Sequence, residues 1–140
     1  MTSSLIIDAS VTLSWCFPDE ANPFSQGVLN ALEAGVEAVV PCLWPFEVTN
    51  ILIAAERRGR ITTELAEEFL SDLSELSLTV DPVDVALTFG NIRQLAREHK
   101  LSAYDAAYLE LAIRKGIPLA TLDAALKEAA VSSAVKIFQP

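Results

Sequence analysis

A single histidine, two cysteines and five glycines leave little room for several common chemistries. His99 stands in the polar stretch Arg97-Glu98-His99-Lys100 with no nucleophile motif beside it, so it reads as a solvated loop residue and supports no Ser/His or Cys/His triad. Cys16 and Cys42 lie far apart among apolar neighbours, which fits buried free thiols in a reducing compartment and excludes a disulfide scaffold or a zinc cluster. The glycines form no phosphate-cradling loop and no dinucleotide fingerprint. No apolar run approaches the length that spans a bilayer, and Met1-Thr2-Ser3-Ser4 carries no basic leader region. The expectation is a cytoplasmic protein with no membrane partner. Positive charge is also scarce, and a net charge of −9 argues against a general nucleic-acid coat protein. Aromatic residues make up 7%, and the tyrosines and most phenylalanines fall at helical core spacing, so a base-stacking platform is not expected.

What the chain does have is apolar content. At 140 residues and 51% hydrophobic, with a mean hydropathy of +0.36, it is long enough for one domain with a core and too short for two. Part of that apolar surface is expected to be covered by a partner. The ten Lys and Arg residues gather at Arg57-Arg58-Arg60, at Arg93, Arg97 and Lys100, and at Arg114-Lys115, which read first as solvated helix faces.

Short apolar runs at residues 5–7, 38–40, 78–80, 118–121 and, more weakly, 135–138 read as buried strands. Helical patterns lie between them at 10–15, 23–34, 44–58, 63–75, 83–98, 103–115 and 123–130. Strands alternating with helices predict a three-layer α/β/α domain around a mostly parallel sheet of four to five strands. Asn22-Pro23 and Thr62 or Thr63 mark helix starts, and Gly35, Gly59 and Gly116 mark ends. Ser102 precedes Asp105 by three residues, as in a capping box. There is no internal repeat or linker.

Four acids fall where such a fold presents catalytic groups. Asp8 and Asp123 end strands at the carboxyl edge of the sheet, where ligands bind in open parallel sheets. Glu47, just after Pro45, and Asp105 lie in the first turns of helices whose amino ends would meet that edge. Glu47 shares a helix face with Ile51 and Ala54. Glu56 is about 180° from Glu47, and Glu110 about 140° from Asp105, so both read as surface charges. Two carboxylates ~4 Å apart repel by roughly 4 kcal/mol at an effective dielectric near 20. Four in one pocket need protons or cations, and an oxygen-only set favours Mg²⁺ or Mn²⁺ over zinc.

The motifs Ile7-Asp8-Ala9-Ser10-Val11, Pro45-Phe46-Glu47-Val48-Thr49-Asn50, Leu101 through Ala112, and Leu119-Ala120-Thr121-Leu122-Asp123 occur in that order. With them the chain resembles, end to end, a PIN-domain protein of the VapC type, the toxin ribonuclease of a toxin–antitoxin pair. The resemblance implies that Asp8, Glu47, Asp105 and Asp123 are catalytic metal-binding acids. It also implies supporting roles for Ser10 and Thr121 as hydroxyls that orient them, and for Asn50 as a further polar group. It implies an endoribonuclease that uses Mg²⁺ or Mn²⁺ to hydrolyse RNA, a homodimer, and a cognate antitoxin whose tail fills a groove near the site. Arg and Lys within 57–60 or 93–100 would contact flanking phosphates. The alternative is a catalytically weak PIN-like binding or regulatory module that keeps the acids. A receiver domain is disfavoured, because Asp8 is followed by Ala9-Ser10 rather than by a second acid.

Overall fold

A computed structural model describes residues 3–140. Met1 and Thr2, the start of the segment read above for a leader, lie outside the described residues. Four strands form the sheet: β1 (Ser4–Ile7), β2 (Glu37–Pro41), β3 (Leu78–Asp81) and β4 (Leu119–Ala120), in the order β3-β2-β1-β4. Every pairing is parallel, with Leu5 opposite Ala38, Ile6 opposite Leu119 and Val40 opposite Val80. β1 lies inside the sheet, and Leu5, Ile6 and Ile7 are each 1% exposed or less. That explains why its sequence is a continuous apolar run and not an alternating one.

The expected fifth strand shrinks to one bridge between Leu119 and Ile137. β4 has two residues, so the returning chain finds little to pair with.

Helices α1 (Ala9–Ser14), α2 (Pro23–Glu33), α3 (Trp44–Arg57) and α4 (Thr63–Ser74) connect the first three strands. The span expected as one helix at 83–98 is instead α5 (Val85–Leu87), a π-helical turn (Thr88–Ile92) and α6 (Arg93–His99). Asp84 sets the later start by accepting a hydrogen bond from the Leu87 N–H at 2.7 Å, and Gly90 sits within the widened turn. Helix α7 (Ala103–Lys115) precedes β4, and α8 (Ala124–Ser132) follows it.

Sequence punctuation matches these boundaries. Asn22 caps α2 through the Ser25 N–H at 2.8 Å, and Thr62 caps α4 through Leu65 at 3.2 Å. Gly116 ends α7 at φ 66°, a left-handed conformation that costs glycine nothing. Helix α7 is buried continuously from Ala106 to Ala112, as expected of a helix covered on all sides.

The thiols depart from expectation. Cys16 is half-buried and Cys42 is exposed just beyond β2. Both are unpaired, but neither is a core residue. No helix among the described residues is long and apolar enough to cross a membrane.

Candidate active site

Asp8 leaves β1 at the carboxyl edge and caps α1, so its carboxylate is fixed by the local backbone. Oδ1 accepts hydrogen bonds from Ser10 Oγ at 2.6 Å and from the Val11 N–H at 3.1 Å. Oδ2 accepts one from Thr121 Oγ1. The two hydroxyls themselves accept from the backbone N–H groups of Leu122 and Asp123, each at 3.0 Å. The ends of β1 and β4 are thus laced together through one carboxylate, and Asp123 is held close by. Asp123 caps α8, accepting from the Leu126 N–H at 2.9 Å.

Glu47 and Asp105 arrive from helices that begin at the same edge. Helix α3 follows β2 and α7 precedes β4, so in a parallel sheet both start over the strands' carboxyl ends. Trp44 ties the start of α3 to Asp8: its indole donates to Thr12 Oγ1 at 3.1 Å, and that hydroxyl donates to the Asp8 carbonyl at 2.8 Å. Glu47 Oε1 accepts from the Tyr108 hydroxyl at 2.6 Å. Tyr108 lies one turn after Asp105 on α7, so it links the two helices at the level of their acids. Ser102 caps α7 through the Asp105 N–H at 3.1 Å, but the return bond of a capping box is not made. Among the described residues the Asp105 carboxylate accepts no hydrogen bond, and the charges of Asp123 and Asp8 act on it.

The charges of the four groups act on one another. Burial pushes the Asp8 carboxyl up from its ordinary value, opposed by Ser10, Thr121 and Val11 and reinforced by the charge of Asp123. Burial also raises Glu47, against the Tyr108 hydrogen bond and with help from Asp105 and Asp8. Asp105 is raised by burial, then by Asp123 and Asp8. Among the described residues no Lys, Arg or His forms a salt bridge with any of the four. Nor do any three of them converge tightly enough, as the side chains stand, to hold a metal ion.

These shifts have a sign. Asp8, Glu47 and Asp105 hold protons more tightly in the folded chain than at their ordinary values of 3.8, 4.5 and 3.8. Above those values, and up to the raised folded ones, the native state binds more protons than the unfolded chain. Stability therefore falls as pH rises through that window. The metal-free protein is expected to melt at a higher temperature near about pH 5 than at about pH 7.5, with the difference narrowed by millimolar Mg²⁺ or Mn²⁺. Thermal melts at both pH values, with and without the ion, check this. A melting temperature that rises toward neutral pH without metal would contradict it.

Ser10 and Thr121 thus both touch Asp8. Asn50 is exposed on α3, and its side chain makes no hydrogen bond with the acids among the described residues. Glu56 lies partly exposed, away from the cluster.

Glu110 corrects the sequence reading. It points away from Asp105 as its spacing requires, yet it is 4% exposed. The far side of α7 faces protein, and Arg114 bonds both Glu110, at 2.9 Å, and Asp81 at the end of β3, at 2.6 Å. The Glu47 face also differs: Val48, Leu52 and Ala55 carry the core contacts of α3, while Ile51 remains 39% exposed. Tyr108, Thr12 and Trp44 were not among the expected site residues. The one signal for Tyr108 was its spacing of three from Asp105.

An all-parallel sheet with acids gathered at its carboxyl edge defines a class of α/β/α domain whose working site is built from carboxylates. Within that class, the chain belongs to the PIN domain family, whose pattern matches residues 5–132. It is 32% identical over 124 residues to Ribonuclease VapC3 of Pyrobaculum aerophilum, covering 89% of this chain and 92% of that protein. The fold is similar to the crystal structure of PAE2754 from Pyrobaculum aerophilum, with a TM-score of 0.70 at 23% identity over 92% of this chain and 86% of that one. It is also similar to VapBC2 from Rickettsia felis, solved bound to a DNA fragment from their promoter. That match has a TM-score of 0.67 at 12% identity and covers 97% of each chain.

Proposed function

We propose that this protein is a metal-dependent endoribonuclease, the toxin of a toxin–antitoxin pair, with Asp8, Glu47, Asp105 and Asp123 as its metal-binding acids. The observation that carries the reading is the set of four carboxylates at one sheet edge: three have raised pKa values, in part through the charges of the others, and among the described residues no basic side chain forms a salt bridge with any of the four. Identity of 32% to a protein named as a ribonuclease supports the choice of RNA.

The donor chemistry fits a hard cation. Every group is a carboxylate oxygen, which suits Mg²⁺ or Mn²⁺. Among the described residues Glu47 Oε2 accepts no hydrogen bond while Tyr108 holds Oε1, and none holds the Asp105 carboxylate, so it is free to rotate toward an ion. When bound, the ion would supply positive charge to the phosphate oxygens and acidify water at neutral pH. Ser10 and Thr121 hold Asp8 in one orientation throughout, and Tyr108 does the same for Glu47. Asn50, one turn beyond Glu47 and exposed, is the weaker polar candidate of this reading.

RNA as substrate places the activity in the cytoplasm. A homodimer and an antitoxin complete the proposal. A cavity of about 620 Å³ between α2 and α4 is lined by Leu29, Leu32, Phe69, Leu73 and Leu76, with Glu33, Asp72 and Glu75 among its acidic residues. It lies where α2 runs into β2 and α4 into β3, at the amino edge of the sheet and away from the acids, so it is not the groove near the site that the antitoxin tail would fill.

Purified protein incubated with total RNA is expected to cleave it with Mg²⁺ or Mn²⁺ and to stop when the metal is chelated. Chelator-resistant cleavage would overturn the metal assignment. A complete lack of cleavage under both conditions would leave the binding-module reading.

A further inference from the structure

We infer that Phe46 and Tyr104 form a pair of stacking surfaces for unpaired RNA bases on either side of the bond that is cut. The inference rests on the ribonuclease reading and adds to it how the strand is held.

Phe46 is 75% exposed and Tyr104 64% exposed, although both belong to residue types that usually seek the core. Each directly precedes a site acid, Glu47 and Asp105, in the first turn of its helix. Helices α3 and α7 both begin at the carboxyl edge, and the Tyr108–Glu47 hydrogen bond ties them together there. In a helix, the residue before an acid lies about 100° around the axis from it. Where two such helices run the same way and turn their acids toward each other, those preceding residues fall on opposite sides of the acid cluster. The two rings therefore flank the carboxylates.

Charge selects the occupant. With a net charge of −9 and an acidic site, the protein offers little general attraction to a phosphate backbone. Two of its arginines are already engaged, Arg60 with Asp19 and Glu20, and Arg114 with Asp81 and Glu110. Stacking on exposed rings provides affinity that needs no positive charge and accepts any base. It also demands unpaired bases, because bases within a duplex are not free to splay onto a side chain. Each ring is thus offered to an unpaired base on one side of the scissile phosphate.

The test compares a fluorescein-labelled single-stranded RNA 12-mer of mixed sequence with an abasic strand of equal length. Binding is measured in Ca²⁺ buffer to the wild type, Phe46→Ala, Tyr104→Ala, the double variant and Tyr104→Phe. The wild type is expected to prefer the strand with bases by about tenfold or more for each ring. Each Ala variant should lose part of that preference, the double variant all of it, and Tyr104→Phe should keep it. Both positions are exposed, and unchanged melting temperatures would exclude misfolding. No preference in the wild type, or a preference retained by the double variant, overturns the inference. So does loss of antitoxin binding with RNA preference intact, which would assign the rings to the protein partner. The two readings fail separately. Base-dependent binding without cleavage in Mg²⁺ or Mn²⁺ sinks the ribonuclease and leaves the rings, whereas cleavage with an unchanged KM in the double variant sinks the rings alone.

Discussion

Asp8→Asn is expected to lower metal-supported RNA cleavage by about a hundredfold or more while raising the melting temperature of the metal-free protein. The loss follows from taking one negative ligand from a cation whose charge stabilisation is worth several kcal/mol, at 1.36 kcal/mol per tenfold in rate. The gain follows from the same burial. Asp8 is 5% exposed, its carboxyl is raised chiefly by desolvation, and Asp123 repels it. A neutral isostere removes both penalties, for a stabilisation on the order of 1 kcal/mol. Two of the three hydrogen bonds survive the change and the third reverses, leaving the Thr121 hydroxyl hydrogen to find another acceptor. Asn retains a carbonyl oxygen for Val11 and Ser10, and its NH₂ can meet Thr121 Oγ1, which has a lone pair to spare after accepting from the Asp123 N–H. Cleavage assays and paired melts with and without Mn²⁺ measure both effects. An Asp8→Asn protein as active as the wild type would remove Asp8 from the metal site. An inactive protein that also melts lower would mean that Asp8 serves the fold more than the chemistry.

The opposition of those two effects explains why the acids could be found in the sequence. Asp8 interrupts an apolar run at the point where β1 ends, and a carboxylate there is costly to the fold without a function to retain it. Asp105 was visible because Ser102 and Gly116 mark both ends of its helix. Long-range partners were not visible. Glu110 has the spacing of a solvent-facing residue, and nothing local shows that the far side of α7 packs against protein or that Asp81, from a strand edge, shares Arg114 with it. Helical periodicity gives the angle between two side chains but not what either one faces. The same gap misplaced Cys42 in the core, along with the ring of Tyr104, whose helical spacing is real and whose exposure is 64%. It also hid Tyr108, which fits the apolar pattern of α7 and whose hydroxyl finds Glu47 only in three dimensions. The π turn at Thr88–Ile92 leaves no period of its own in the sequence, since its five residues fit a helix pattern equally well.

Arg114→Ala is expected to be strongly destabilising although it lies outside the site, lowering stability by about 3 kcal/mol. If Glu110 and Arg114 were an ordinary exposed pair one helical turn apart, its loss would cost only about 0.3–0.5 kcal/mol. Here the carboxylates of Glu110 and Asp81 are 5% and 9% exposed, and the guanidinium spans both. Removing it leaves two buried negative charges with Lys115, 3.9 Å from Asp81, as the nearest alternative cation. The Arg114 side chain is itself 35% exposed, so water softens the loss and keeps the figure at the lower end of the range for buried pairs. Arg114→Lys should recover only part of it, because an ammonium cannot present the planar fork that contacts two carboxylates at once. Asp81→Asn/Glu110→Gln/Arg114→Met should come closer to the wild type than Arg114→Ala does, since no buried charge then lacks a partner. Urea titrations of the four proteins supply the comparison. If Arg114→Ala lost less than about 1 kcal/mol, the arrangement would be a surface pair in energy despite its burial. Arg114 lies nine residues along α7 from Asp105, roughly 13 Å at 1.5 Å per residue, so cleavage per folded molecule should be unchanged. A fall in that specific activity would mean that strain at the sheet's β3 edge reaches the carboxylates through α7.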